Sequence, residues 1–186
     1  MARILKIIIA TLILNMCGSP LDLAAKPDPG KKPQAQPFYE NPSARMPIIT
    51  VVYDNNPYGE GLETAWGFSC LIKGMEKTIL FDTGGSGKIL LANMSKMGVV
   101  PDEIDTVVIS HIHGDQVGGV HSLIAENRRI ITYLPGSFPE PFFQDMKKRG
   151  SRVIPVRDPI KIGNGVYSTG ELGEPLREQS LIVRTL

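Results

Sequence analysis

The chain has 186 residues, which is enough for one folded domain of ordinary size plus an extension. Hydrophobic residues make up 42% and charged residues 21%, a balance typical of a globular protein and not of a disordered one. The formal net charge is only +1, so the composition gives no support to nucleic-acid binding, which needs a basic surface against phosphates.

The N-terminus has the layout of a secretory signal peptide. Arg3 and Lys6 precede an almost continuous apolar run from Ile7 to Leu14, and small residues close the segment at Ala25. The apolar run is much shorter than the roughly 20 residues that a membrane-spanning helix needs. We therefore expect a signal peptide over 1–25, a periplasmic or extracellular protein, and no membrane span after leader removal. The alternative is an uncleaved N-terminal anchor.

The two cysteines predict no disulfide in the mature chain. Cys17 follows the apolar run in a segment that faintly resembles a lipoprotein cleavage site, which would anchor the chain by a lipid on Cys17. Met16 fits that site poorly, because the position usually takes a very small residue. Cleavage after Ala25 leaves Cys70 alone, and its apolar neighbours predict a buried strand thiol and not a nucleophile.

Residues 26–46 are predicted to form an extended linker, and residues 47–186 a folded domain. Proline recurs through the linker, where it fixes φ and removes a hydrogen-bond donor. The chain stops directly after a strand-like run near Ile182, which suggests a domain that is incomplete at its C-terminus. The alternative is a natural edge strand.

Predicted strands and helices alternate through the domain. Gly74 is expected to join the second and third strands, and glycines to end the helices at 98 and 150. This order predicts an α/β (α+β) fold. Strand patterns lie at 47–53, 65–73, 77–81, 106–110, 129–133, 151–156, 166–168 and 180–185, and helical patterns at 89–97 and 141–148. A further short helix is expected within 117–127, after the glycine pair 118–119.

Polar loops follow two neighbouring strands of this pattern. Asp82 opens a glycine-rich loop after one strand, and the turn His111-Ile112-His113-Gly114-Asp115-Gln116 follows the next. Imidazole nitrogens combined with a carboxylate suit zinc first, with iron and manganese as alternatives. A bound divalent cation lowers the pKa of water towards neutrality, so the pattern favours hydrolytic metal chemistry.

Four segments of the domain resemble the metallo-β-lactamase superfamily, and within it the branch of dihydropterin synthase-like metal-dependent hydrolases. The resemblance implies an αββα sandwich of two similar halves, of which this chain would carry the N-terminal half to two-thirds. It further implies a two-metal site at one edge of the sheets, where a metal-bound hydroxide attacks an ester, amide or phosphoester of a small-molecule substrate. The segments are Thr64–Cys70, Ile79–Gly85, Val108–Asp115 and Glu178–Val183.

The resemblance also assigns roles to single residues. His111 and His113 correspond to ligands of the first metal, and Asp115 to a catalytic residue that binds the second metal. Asp82 corresponds to an aspartate that supports the site from the adjacent loop. Gln116 stands where the family signature has histidine, and its neutral amide is a weaker ligand.

These departures leave other interpretations open. The chain has three histidines, and none follows His121, which we expect on the polar face of a helix and not in the site. One alternative is therefore a truncated or degenerate homologue without catalytic activity, whose uncovered sheet face would favour association with another chain. A second alternative is a tethered envelope binding module.

Overall fold

The structure is a computed structural model, and it describes residues 46–184. The predicted signal peptide, Cys17 and the linker up to residue 45 lie outside the described residues. The strands are β1 (Ile48–Tyr53), β2 (Ser69–Lys73), β3 (Ile79–Phe81), β4 (Thr106–Val108), β5 (Ile131–Pro135), β6 (Arg152–Val156), β7 (Ile160–Gly163), β8 (Val166–Ser168) and β9 (Leu181–Val183). The helices are α1 (Gly87–Lys96), α2 (Gly114–Val117), α3 (Val120–Glu126) and α4 (Glu140–Lys148), with a 3-10 turn at Pro101–Glu103.

The main sheet has six strands in the order β1-β2-β3-β4-β5-β6. The first three strands are antiparallel, and β3, β4, β5 and β6 run parallel. Parallel neighbours need crossover connections, which the helices provide. The carboxyl ends of the four parallel strands therefore lie at one edge of the sheet, and the loops after β3 and β4 start there.

The helices pack on one face of this sheet. Leu80 and Val107 of the sheet share a buried cluster with Leu90 of α1 and Leu123 of α3. The predicted helical stripe of α1 is confirmed. The side chain of Ser86 accepts a hydrogen bond from the backbone N–H of Ile89 at the start of this helix (3.5 Å).

A second sheet, in the order β7-β8-β9, packs on the opposite face. Ile162 and Val166 of this sheet are buried in a cluster with Ile79 and Val108 of the main sheet. The described layers are thus helices, main sheet and second sheet, and the predicted mixed α/β class is confirmed.

Two local predictions are corrected, and a third is confirmed with an addition. Strand β7 was not predicted, because Pro159 and two nearby glycines resemble loop signals and only four residues lie in the strand. Strand β4 ends at Val108 and not at Ser110, since Ser110 turns to bind the neighbouring loop. The short helix predicted after the glycine pair 118–119 is confirmed as α3, and the turn before this pair forms the additional short helix α2.

Gln179 fixes the second sheet to the main sheet. This side chain is only 1% exposed, and its Nε2 donates to the carbonyl oxygens of Ile109 (2.8 Å) and Tyr133 (3.3 Å). Its Oε1 accepts from the Ser168 hydroxyl (2.7 Å), and its backbone N–H donates to the Ser110 carbonyl (2.9 Å). The segment before β9 is therefore held against the end of β4.

The edge strand β1 exposes apolar side chains. Ile49 and Val51 are 53% and 46% exposed and pair in register with Ile72 and Cys70, whose side chains are buried. Association through such a face stays a prediction. No helix within residues 46–184 is long and apolar enough to cross a membrane.

Candidate metal site

The two polar loops are packed together through their backbones. The amide of Thr83 donates to the carbonyl of Gln116 (2.8 Å), and the Thr83 hydroxyl donates to the same oxygen (2.7 Å). At Gly67, where φ is +136°, a Cβ would lie 2.3 Å from the Asp115 carbonyl oxygen, so only glycine fits. The histidine turn therefore has a fixed backbone position beside the loop that Asp82 opens.

His111, His113 and Asp115 come together in space. Their potential ligand atoms all lie within 4.8 Å of one another. The two imidazole rings meet edge to face at 4.9 Å, and His111 is the less exposed of the two. Two nitrogens and a carboxylate oxygen at this separation fit a divalent cation such as zinc, with one coordination position left open.

A chain of buried hydrogen bonds supports His111. The Ser110 hydroxyl donates to Oδ2 of Asp82 (2.7 Å), and the Ser110 amide donates to Oδ1 (2.7 Å). The same hydroxyl oxygen lies 2.9 Å from Nδ1 of His111. Because the hydroxyl proton goes to Asp82, the serine oxygen can accept a proton from Nδ1 of His111, and that tautomer leaves Nε2 for a metal.

Asp82 occupies an unusual position for a carboxylate. It is 2% exposed and has a left-handed φ of +58°, which turns the chain directly out of β3. Burial raises the pKa of Asp82 from its ordinary 3.8 to about 7; the bonds from Ser110 oppose this rise, and the charges of Asp115 and Glu178 add to it. A cation at the histidine turn would favour the ionised form of this carboxyl.

Gln116 lies beside the cluster. Its Nε2 is 3.2 Å from Oδ2 of Asp115, while its Oε1 is buried and has no hydrogen-bond partner among the described residues. An unsatisfied buried amide oxygen is costly, and a nearby positive charge would relieve this cost. The position of Gln116 is consistent with a cation site in which its amide stands where the family signature has an imidazole.

His121 is not part of the cluster, as predicted. It lies on α3, where its ring stacks on Phe142 of α4 at 6.1 Å. Its Nε2 is 2.9 Å from Oδ2 of Asp145, an ion-pair distance that lacks hydrogen-bond alignment. Desolvation lowers the pKa of His121. The stacked ring makes His121 a packing contact between α3 and α4. Cys70 is a buried thiol, as its apolar neighbours predicted, and burial is the main cause that raises its pKa to about 12.

Sequence reasoning missed three residues that hold the site. Ser110 immediately precedes the motif and was assigned to the strand. Glu178 and Gln179 belong to a segment that carries the family resemblance, but no local spacing indicates that they return to the end of β4. The carboxylate Oε2 of Glu178 lies 3.9 Å from Nδ1 of His111.

The chain belongs to the metallo-beta-lactamase superfamily, whose family model matches residues 67–179 and thus more than half of the chain. A 7,8-dihydropterin-6-methyl-4-(beta-D-ribofuranosyl)-aminobenzene-5'-phosphate synthase from Methanocaldococcus jannaschii is 29% identical over an alignment of 147 residues that covers 67% of this chain and 50% of that protein. The chain therefore spans about half the length of this relative.

Two further similarities are found. Ribonuclease Z from Aeropyrum pernix is 42% identical over 60 residues, which are 32% of this chain and 18% of that protein. The metallo-beta-lactamase fold protein YhfI from Bacillus subtilis superposes with a TM-score of 0.55 at 19% identity, over 72% of this chain and 55% of YhfI. The similarity to YhfI concerns the fold alone, because the sequence identity is only 19%.

Proposed function

We propose that this chain is a metal-dependent hydrolase that uses one divalent cation, most simply zinc, at the His111, His113 and Asp115 cluster. The observation that carries the proposal is the chain of hydrogen bonds from Asp82 through Ser110 to Nδ1 of His111. A buried, oriented support behind an imidazole is the usual arrangement of a metal ligand and serves no evident packing purpose.

Each residue has a definite task in this proposal. His111 and His113 bind the cation through nitrogen, and Asp115 binds it through a carboxylate oxygen. When bound, a divalent cation polarises a scissile bond and lowers the pKa of water to near neutrality. Asp82 and Ser110 keep the His111 ring in one tautomer and one orientation.

We propose a phosphoester as the substrate class, ahead of an ester or an amide. One relative is named a synthase of a 5'-phosphate compound, and another is named a ribonuclease, whose RNA substrate is a phosphodiester. Two arginines also lie at the sheet edge that carries the cluster: Arg157 follows β6, and Arg177 precedes Glu178. Both guanidinium groups lie within 4 Å of Glu171, and Arg177 also pairs with Glu174, so a phosphate would exchange these carboxylate partners for its own oxygens.

The test is hydrolysis of bis(p-nitrophenyl) phosphate and of p-nitrophenyl acetate by the full chain loaded with zinc. We expect the zinc-loaded parent protein to hydrolyse the phosphodiester. The D115N substitution should lower the rate of this hydrolysis at least about a hundredfold. D158N, which changes an exposed aspartate, is the matched control and should retain the activity. Failure of zinc-loaded protein to hydrolyse either compound above the D115N background would contradict the proposal and favour a homologue without catalytic activity.

Export through the N-terminal leader is also a proposal. It is supported by the sequence of residues 1–25, and it is tested by the molecular mass of the mature protein recovered from its native host.

A further inference from the structure

Glu178 is not among the expected metal ligands, yet its carboxylate faces the same imidazole that Ser110 contacts. Oε2 of Glu178 lies 3.9 Å from Nδ1 of His111, and the glutamate side chain is 41% exposed. We propose that Glu178 is a positioning residue: together with the Ser110 hydroxyl, it keeps the proton on Nδ1 of His111 and so leaves Nε2 for the cation. This inference rests on the proposed function, because it concerns the same site.

Ser110 and Glu178 together favour the Nδ1–H tautomer of His111. A separation of 3.9 Å is too long for a direct hydrogen bond, so Ser110 is the acceptor of the Nδ1 proton. Glu178 adds negative charge on the same side of the ring, which stabilises the Nδ1–H tautomer and the positive charge that the ring acquires when it binds a metal. Metal-binding histidines commonly have a carboxylate in this position, and it raises the basicity of the ligating nitrogen.

The backbone that carries Glu178 is held on both sides. Its N–H donates to the carbonyl of Leu172 (2.9 Å), and its carbonyl accepts from the N–H of Leu172 (2.8 Å). The next residue is Gln179, whose buried side chain binds the ends of β4 and β5. The glutamate is therefore placed by the junction between the two sheets, which gives the precision that a supporting residue requires.

The charge of Glu178 also acts on Asp82, which lies at the buried end of the hydrogen-bond chain. It is one of the causes that raise the pKa of Asp82, together with the charge of Asp115. Glu178 thus lies within electrostatic reach of the whole array of Asp82, Ser110 and His111.

The first test compares the full-length E178Q and E174Q proteins. Glu174 lies in the same loop but is 76% exposed and pairs with Arg177, so it controls for loss of one loop charge. Zinc affinity is measured by competition with a chromophoric chelator. We expect E178Q to weaken zinc binding by about 10- to 100-fold and E174Q to change it by less than about twofold. The thermal unfolding midpoints of both metal-free variants should match that of the parent protein.

The second test determines which ring nitrogen of His111 carries the proton. The chain has three histidines, so long-range ¹H–¹⁵N spectra of the metal-free protein can resolve them at a pH where they are neutral. We expect His111 of the parent protein to be protonated at Nδ1, and E178Q to shift it towards the Nε2–H tautomer.

The outcomes separate the two claims. An E178Q protein with the zinc affinity of the parent would overturn the positioning role. Weaker binding with an unchanged tautomer would overturn it as well, because Glu178 would then act in another way. If the parent protein binds no zinc, the proposed function fails, and the tautomer spectra still decide whether Glu178 positions the ring.

Discussion

At the scale of single residues, the site depends on a carboxyl group that is buried more deeply than its charge favours. Asp82 has two hydrogen bonds from Ser110 but little access to water. Its pKa of about 7 exceeds its ordinary 3.8, so the folded chain retains a proton that the unfolded chain releases between these pH values. Asp82 therefore makes the metal-free protein less stable as pH rises through this window, by on the order of 4 kcal/mol.

The D82N variant tests this linkage. An amide does not titrate, so D82N should lose less stability between pH 4 and pH 7 than the parent protein does. The measurement is denaturant unfolding of chelator-treated protein across this pH range. D158N, an exposed aspartate, should follow the parent protein. Parallel curves for D82N and the parent would show that the buried carboxyl is not the source of the dependence.

Gln116 gives a second prediction at this scale. The Q116H substitution places an imidazole where the family signature has histidine, beside a carboxylate that its present amide contacts at 3.2 Å. We expect Q116H to raise zinc affinity on the order of tenfold, a lower-end effect for changes near a metal. Chelator competition measures the change. An unaltered or weaker affinity would mean that the amide oxygen already serves the cation as well as an imidazole does.

At the scale of elements, the second sheet positions the site through Gln179. Its side chain satisfies two backbone carbonyls and one hydroxyl in a fully buried setting. Q179A removes the Gln179 partner of the Ile109 carbonyl and the acceptor of the Ser168 hydroxyl, while the Tyr133 carbonyl keeps its bond from the Ile109 amide. Because these groups are buried, we expect a loss of about 2 to 4 kcal/mol in the free energy of unfolding. Q144A, at an exposed glutamine of α4, is the matched control and should cost less than about 1 kcal/mol. Equal losses for the two variants would contradict the role of Gln179 as the junction.

The elements also show what a sequence can predict. Helix α1 and the hairpin of β2 and β3 follow from local patterns: an apolar stripe in one case, and a glycine at φ +87° in the other. The cluster of His111, His113 and Asp115 was predictable for the same reason, since these residues share one turn. Contacts between distant segments were not. Glu178 and Gln179 reach the end of β4 only because β7, β8 and β9 fold onto the main sheet, and no local pattern shows this.

At the scale of the whole molecule, the described layers place helices on one face of the main sheet and a second sheet on the other. The four parallel strands bring the aspartate loop and the histidine turn to one edge, where the superfamily relationship and the chemistry of the residues agree. The chain spans about half the length of its synthase relative. Its activity and substrates therefore rest on experiments with this chain.

The most direct test of this account is the metal content of the purified full chain. After incubation with zinc and removal of the excess, we predict one tightly bound ion per chain, because the described residues form one ligand cluster. The H111A/H113A double variant should bind none at the same site, and it should lose the thermal stabilisation that zinc gives the parent protein. A parent protein that retains no zinc, iron or manganese, or a double variant that retains as much zinc as the parent, would contradict the central claim.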